Sequence, residues 1–90
     1  MENRIALIAI VVEDSGKAGE LNEILHSYSE YIIGRMGLPC RERQISLISV
    51  AVDGPSDVIS ALSGKLGKIP GISAKAVYAK LSETARREQT

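Results

Sequence analysis

Residues 31–52, YIIGRMGLPCRERQISLISVAV, decide the fold. The two ends of this stretch, residues 31–36 and 44–52, are apolar and rich in β-branched side chains, which reads as two strands. They are joined by a ten-residue hairpin, residues 34–43, which overlaps the end of the first strand and holds two glycines, a proline and three arginines. Two residues suffice to join antiparallel strands, so this composition points to something beyond turning the chain. A hairpin here makes the two strands antiparallel neighbours.

Working outward, each strand of the hairpin is flanked by a helical pattern. Upstream, residues 18–29 place Leu21, Ile24, Leu25 and Tyr28 at i, i+3, i+4 and i+7, one face of a helix, with Glu20 and Glu23 off that stripe. Downstream, Asp53-Gly54-Pro55-Ser56-Asp57 opens a second helix. Pro55 suits the first helical position, where its missing N–H costs nothing, and Asp57 suits the first turn. Val58, Ala61, Leu62 and Leu66 form the expected buried stripe, with Gly67 as a left-handed cap and Pro70-Gly71 as the stop.

Two further strands, the first and last in the chain, complete the pattern. Residues 4–12 (RIALIAIVV) are apolar at alternate and intervening positions, as in a central strand covered on both faces. Glu13-Asp14-Ser15-Gly16 then breaks the run. Residues 72–80 read as the fourth strand. The order is β-α-β-β-α-β, the ferredoxin-like split βαβ arrangement: a four-stranded antiparallel sheet with two helices on one face. Right-handed crossovers put strands one and three in the centre. The composition agrees, because strands two and four carry Gly34, Arg35, Ser73, Lys75 and Lys80, as edges tend to. Residues 1–81 read as one domain, and residues 82–90 (SETARREQT without their last-strand neighbours) as a flexible tail lacking an apolar stripe.

One face of such a sheet has no helix over it. Strand one nevertheless offers Ile5, Leu7 and Val11 to one side and Ile8, Ile10 and Val12 to the other; strand three offers Ile45 and Leu47 against Ile48, Val50 and Val52. Several side chains worth roughly 1.5–3 kcal/mol each on full burial would be left out. The expectation is a homo-oligomer joined through the sheet face, the edges or both.

Composition narrows the function. The 90 residues carry 11 basic and 11 acidic side chains, so there is no general field to hold a nucleic acid. A single cysteine, Cys40, permits no intrachain disulfide and fits a reducing, cytoplasmic setting. The longest apolar strand is too short to span a membrane as a helix, and no cleavage signal follows it. His26 and Cys40 are the soft metal ligands, too few for a site within one chain, so no metal and no cofactor is expected. No catalytic triad spacing, paired-carboxylate, HExxH or phosphate-loop motif appears, and Gly64-Lys65-Leu66-Gly67 falls at a helix C-terminus, where the dipole repels anions. The chain reads as a non-enzyme.

Two segments remain as candidates for binding a ligand or partner. At Asp14, Ser15 and Gly16, the turn before the first helix either caps that helix with its own side chains or offers N–H groups to an anion. In the hairpin, Gly34, Arg35, Met36 and Gly37 with Arg41 and Arg43 either meet an anion or acidic partner or form a solvated loop with Glu42 interleaved.

At these same residues the chain resembles a known family. Asn22-Glu23-Ile24-Leu25-His26, Tyr31-Ile32-Ile33-Gly34-Arg35-Met36-Gly37-Leu38-Pro39, Arg41-Glu42-Arg43 and the later run Ile59 through Gly67 with Pro70-Gly71-Ile72 are similar to small regulators of the iron-only hydrogenase system. The resemblance covers roughly residues 3–80. It implies an ACT-like fold akin to the C-terminal domain of the nickel-responsive repressor, a homodimer or homotetramer, ligand sensing between protomers, and hydrogenase maturation proteins as partners. That repressor's metal site uses several histidines, which this chain lacks, so nickel is not carried over. Its separate DNA-binding segment also has no counterpart in residues 1–90. The readings left standing are a homo-oligomeric module sensing a small-molecule effector or protein, a structural adaptor without a small ligand, and, third, a DNA-binding regulator.

Overall fold

The computed structural model describes residues 3–81. The elements are β1 (Asn3–Val12), α1 (Ala18–Ser27), β2 (Ile32–Cys40), β3 (Ile45–Pro55), α2 (Ser56–Gly67) and β4 (Ile72–Tyr78), with 3-10 turns at Ser15–Lys17, Ser29–Tyr31 and Arg41–Arg43. All strand pairs are antiparallel and the sheet order is β2-β3-β1-β4. The most apolar strands, β1 and β3, are central, as their composition requires. The expected tail lies outside the described residues.

Registry assigns the faces. Ile8 sits opposite Val50 and Ala76, and Ile10 opposite Ile48 and Ala74, so the even-numbered positions of these three strands share one face. Both helices cover that face. Ala6, Ile8, Ile10, Val12, Val50 and Val52 are buried there beneath Leu21 and Leu25 of α1 and Ile59, Leu62 and Leu66 of α2. Ile24 and Tyr28 pack at the margin of this core, as the stripe in α1 predicts. The Cα extents of 43 × 24 × 16 Å leave room in the thin direction for one sheet and one helical layer.

The buried stripe of α2 is rotated from the expected one. Ile59 is buried, whereas Val58 is half-buried and Ala61 exposed. Two stripes share Leu62 and Leu66; the observed one adds Ile59 and continues to buried Ile69, so it removes more apolar surface than one through Val58 and Ala61. The helix also starts later. Strand β3 runs on to Pro55, pairing with Asn3, so Pro55 becomes the N-cap and Ser56 the first helical residue. Gly67 is not the left-handed cap: Lys68 follows it in right-handed geometry, and the reversal falls on Gly71 at φ 81°.

The hairpin differs most from expectation. Gly34 to Cys40 are strand rather than loop, and the connection contracts to the Arg41–Arg43 turn and Gln44 at φ 56°. The cause is tertiary. Strand β3 supplies an unbroken partner from Ala51 to Ile45, and β2, being an edge strand, tolerates Gly34, Gly37 and Pro39 because it pairs on one side alone. A register shift between Ile32 and Gly34 absorbs one extra residue as a bulge.

Among the described residues, the opposite sheet face carries no helix. Leu7, Leu47, Met36, Leu38 and Val77 are 52, 42, 61, 57 and 60 % exposed there, around half-buried Ile5 and Val11. Among the described residues no helix is long and apolar enough to cross a membrane.

Candidate functional site

Antiparallel pairing decides which candidate residues meet. Val12, the last residue of β1, lies opposite Ser46 near the start of β3, so the cap turn after β1 and the hairpin turn before β3 share one end of the sheet. Between them is a recess of about 510 Å³ walled by Glu13, Asp14 and Ser15 on one side and Cys40, Arg41 and Gln44 on the other. Segments far apart in sequence, chosen there for different reasons, thus line one cavity. Its chemistry is mixed: two carboxylates, a guanidinium, a thiol, an amide and the hydroxyls of Ser15 and Ser46.

The cap turn is locally satisfied. Asp14 Oδ1 accepts from Gly16 N–H at 2.9 Å, Lys17 N–H donates to Asp14 carbonyl at 3.0 Å, and Glu13 N–H donates to Gly71 carbonyl at 2.7 Å. The Asp14 carboxylate therefore caps the 3-10 turn Ser15–Lys17 and not α1, which the sequence expected it or Ser15 to cap: the inserted turn makes Lys17 the N-cap of α1, with no side-chain cap hydrogen bond. Gly71 holds the turn from below. A Cβ there would lie 2.7 Å from Asp14 Cβ, so the close approach and the positive φ both demand glycine.

The hairpin residues divide. Arg41 joins the recess, while Arg43 lies exposed in the same 3-10 turn. Arg35 is elsewhere, on the helix side of the sheet at the β2 edge, where its Nη1 donates to Asn22 Oδ1 at 3.0 Å. It borders a second recess, about 470 Å³, between β2 and α1, together with Asn22, His26 and exposed Ile33. Met36 points to the open face and lines an apolar depression of about 260 Å³ with Leu38, Leu47, Ala9 and Val11. The single hairpin site expected from sequence is therefore three surfaces, because alternate residues of a strand point to opposite faces.

Leu38 and Ile33 were not singled out by sequence, although both are exposed large apolar residues on an edge. Counting period-two positions from Gly34 through Met36 would have found Leu38; the bulge hides Ile33. His26 and Cys40 border different recesses, and among the described residues no group of three or more His, Cys, Asp or Glu is placed to hold a metal ion.

A β2-β3-β1-β4 antiparallel sheet backed by two helices on one face defines a ferredoxin-like α+β protein. Residues 4–76 match the family described as "TM1266-like: Iron-only hydrogenase system regulator, putative", and the chain belongs to that family. The uncharacterized protein TM1266 from Thermotoga maritima is 45 % identical, with a TM-score of 0.82 over 88 % of this chain and 100 % of that one. A protein of unknown function from Galdieria sulphuraria shares the fold at 15 % identity and a TM-score of 0.60, over 91 % of this chain and 48 % of that one. A search of curated proteins finds no match to this chain.

Proposed function

We propose that this protein is a non-enzymatic, ACT-like regulatory module of the iron-only hydrogenase system that self-associates and responds to a small ligand at the turn end of its sheet. The observation that carries this reading is the recess shared by Asp14, Ser15 and Arg41. It combines separate acidic and basic groups within one cavity of small-molecule size, on turns that a bound molecule could hold together. Self-association is supported by the apolar open face, where Leu7, Met36, Leu38, Leu47 and Val77 are exposed together. Membership in a family of regulators supports a regulatory rather than catalytic role. The single cysteine fits a cytoplasmic setting.

Thermal-shift screening against amino acids, nucleotides and metal ions tests ligand sensing. Stabilisation by one class, lost in Arg41→Glu, is expected; no stabilisation by any class would count against a ligand. Exposed Arg41 and Arg43, at the tip of the hairpin, favour a second reading in which the turn docks an acidic surface of a hydrogenase maturation protein. Pull-down from a native host with wild type and the Arg41→Glu, Arg43→Glu double variant separates the two. Capture of a maturation protein by wild type alone, with no ligand effect, would favour the adaptor.

A further inference from the structure

The recess between β2 and α1 has a lining that the fold of one chain does not use. Ile33, inserted by the β2 bulge, borders it at 62 % exposure and is not among the apolar residues packed on the core. Ile32 beside it is half-buried at the core margin. These two side chains give an apolar half to a cavity of about 470 Å³, within the usual range for small-molecule sites.

The other half is made of hydrogen-bond donors. Arg35 Nη1 donates to Asn22 Oδ1 at 3.0 Å, which uses one of the five guanidinium N–H groups. The same bond occupies the amide oxygen of Asn22 and leaves its NH2 group to donate elsewhere. His26, one turn further along α1, shares a helix face with Asn22, and Ser29 adds a hydroxyl. No Asp or Glu lines the recess. The one ion pair among the described residues joins Lys17 to Glu20, so the charge of Arg35 has no carboxylate partner there.

We infer that this recess binds a small aliphatic monocarboxylate, its carboxylate held by Arg35 and the Asn22 amide and its hydrocarbon body against Ile32 and Ile33. A planar guanidinium matches a carboxylate through two parallel N–H bonds. Three features set the class of ligand. An amino acid brings an ammonium group, which finds no acid in this lining and is repelled by Arg35. Inorganic phosphate gains nothing from the two isoleucines. It also places more negative charge beside the second half of α1, whose C-terminal dipole opposes anions. One negative charge on an apolar body therefore fits best. The site shares no lining residue with the turn-end recess and stands apart from the ligand reading given there.

Titration of isotope-labelled full chain, read by NMR at the Asn22 side-chain amide and the Arg35 Nε–H, tests it. The probe is isocaproate, which is leucine without its amino group. It should shift both signals and saturate with a Kd of roughly 1 mM or tighter. Leucine, inorganic phosphate and isohexanol, which lacks the charge, should each bind at least about tenfold more weakly. Arg35→Ala should weaken isocaproate about tenfold or more. Asn22→Asp gives the guanidinium its own carboxylate, so binding should be lost while urea denaturation finds the fold no less stable. A purely structural role for this pair would not move binding and stability in different directions. Lys75→Ala removes an exposed charge from the opposite sheet face and should bind as wild type does. Circular dichroism checks that each variant folds. Unmoved Asn22 and Arg35 signals, leucine or phosphate binding as tightly as isocaproate, or undiminished binding in Arg35→Ala would overturn the inference. Each of these would leave the turn-end recess untouched.

Discussion

Gly71→Ala tests how the core end of the fold holds the candidate recess. Gly71 has φ 81°, where an L side chain costs roughly 1–2 kcal/mol. Its added Cβ would stand 2.7 Å from Asp14 Cβ, well inside the roughly 3.5–4.0 Å at which carbon atoms attract. Asp14 backbone atoms lie just behind, at 3.5 and 3.7 Å, so the methyl group cannot be accommodated by rotating one side chain. Relief requires moving the cap turn, with loss of the 2.7 Å hydrogen bond from Glu13 N–H to Gly71 carbonyl. Overpacking of this kind costs about 1–3 kcal/mol. Together the terms give about 2–5 kcal/mol, which for a domain of this size lowers Tm by at least about 8 °C. Thermal and urea denaturation followed by circular dichroism, at one fixed protein concentration, measures the loss. Gly64→Ala is the matched control: it lies in α2 with nothing within 4 Å of the added Cβ, and alanine there should stabilise by up to about 1 kcal/mol. A Gly71→Ala variant within about 0.5 kcal/mol of wild type would refute the argument that this glycine is compelled by backbone and contact together.

Two further substitutions separate surface roles from structural ones. Arg35→Ala removes one exposed hydrogen bond, to Asn22, and should change stability by no more than roughly 0.5–1.5 kcal/mol in urea titration; a larger loss would make Arg35 part of the fold rather than of a binding surface. Val77→Lys alters a residue 60 % exposed on the open face, so unfolding of the monomer should be nearly unchanged. If that face carries self-association, burying the rest of Val77 contributes about 1–2 kcal/mol per copy, and sedimentation should show dissociation at least tenfold easier; an unchanged association constant would exclude the Val77 side of the sheet.

The three candidate surfaces have different physical characters. The turn-end recess is polar and ionic, the β2 edge offers backbone pairing, and the open face is apolar.

Local patterns in the sequence made most of the architecture legible. The stripe of Leu21, Ile24, Leu25 and Tyr28, and the density of β-branched residues in residues 4–12 and 44–52, each specify an element through nearest-neighbour periodicity. Boundaries were less legible where two elements compete for a residue. Pro55 satisfies the start of a helix locally but is held in β3 by its pairing with Asn3. Residues 34–40 carry turn-forming composition, yet the ladder from Ile45 to Ala51 pulls them into a strand. The cap turn at Asp14 was visible as a capping sequence; its contact with Gly71 was not, because those residues are far apart in the sequence and meet only through the pairing of β1 with β4.

By itself, the sequence determined that this chain alternates strand, helix and hairpin in the ferredoxin-like order, that its central strands are β1 and β3, and that it has more apolar sheet surface than two helices can cover. Those properties follow from periodicity and from the amount of apolar side chain, which are local and additive. Only the tertiary structure decided which stripe of α2 is buried, that the hairpin is an edge strand, and that Asp14 and Arg41 face one recess while Arg35 and Met36 point to opposite sides. The first depends on which helix face removes more apolar surface against the sheet; the others depend on strand pairing and register, and register is a relation between segments: sliding one strand by a single residue exchanges its faces.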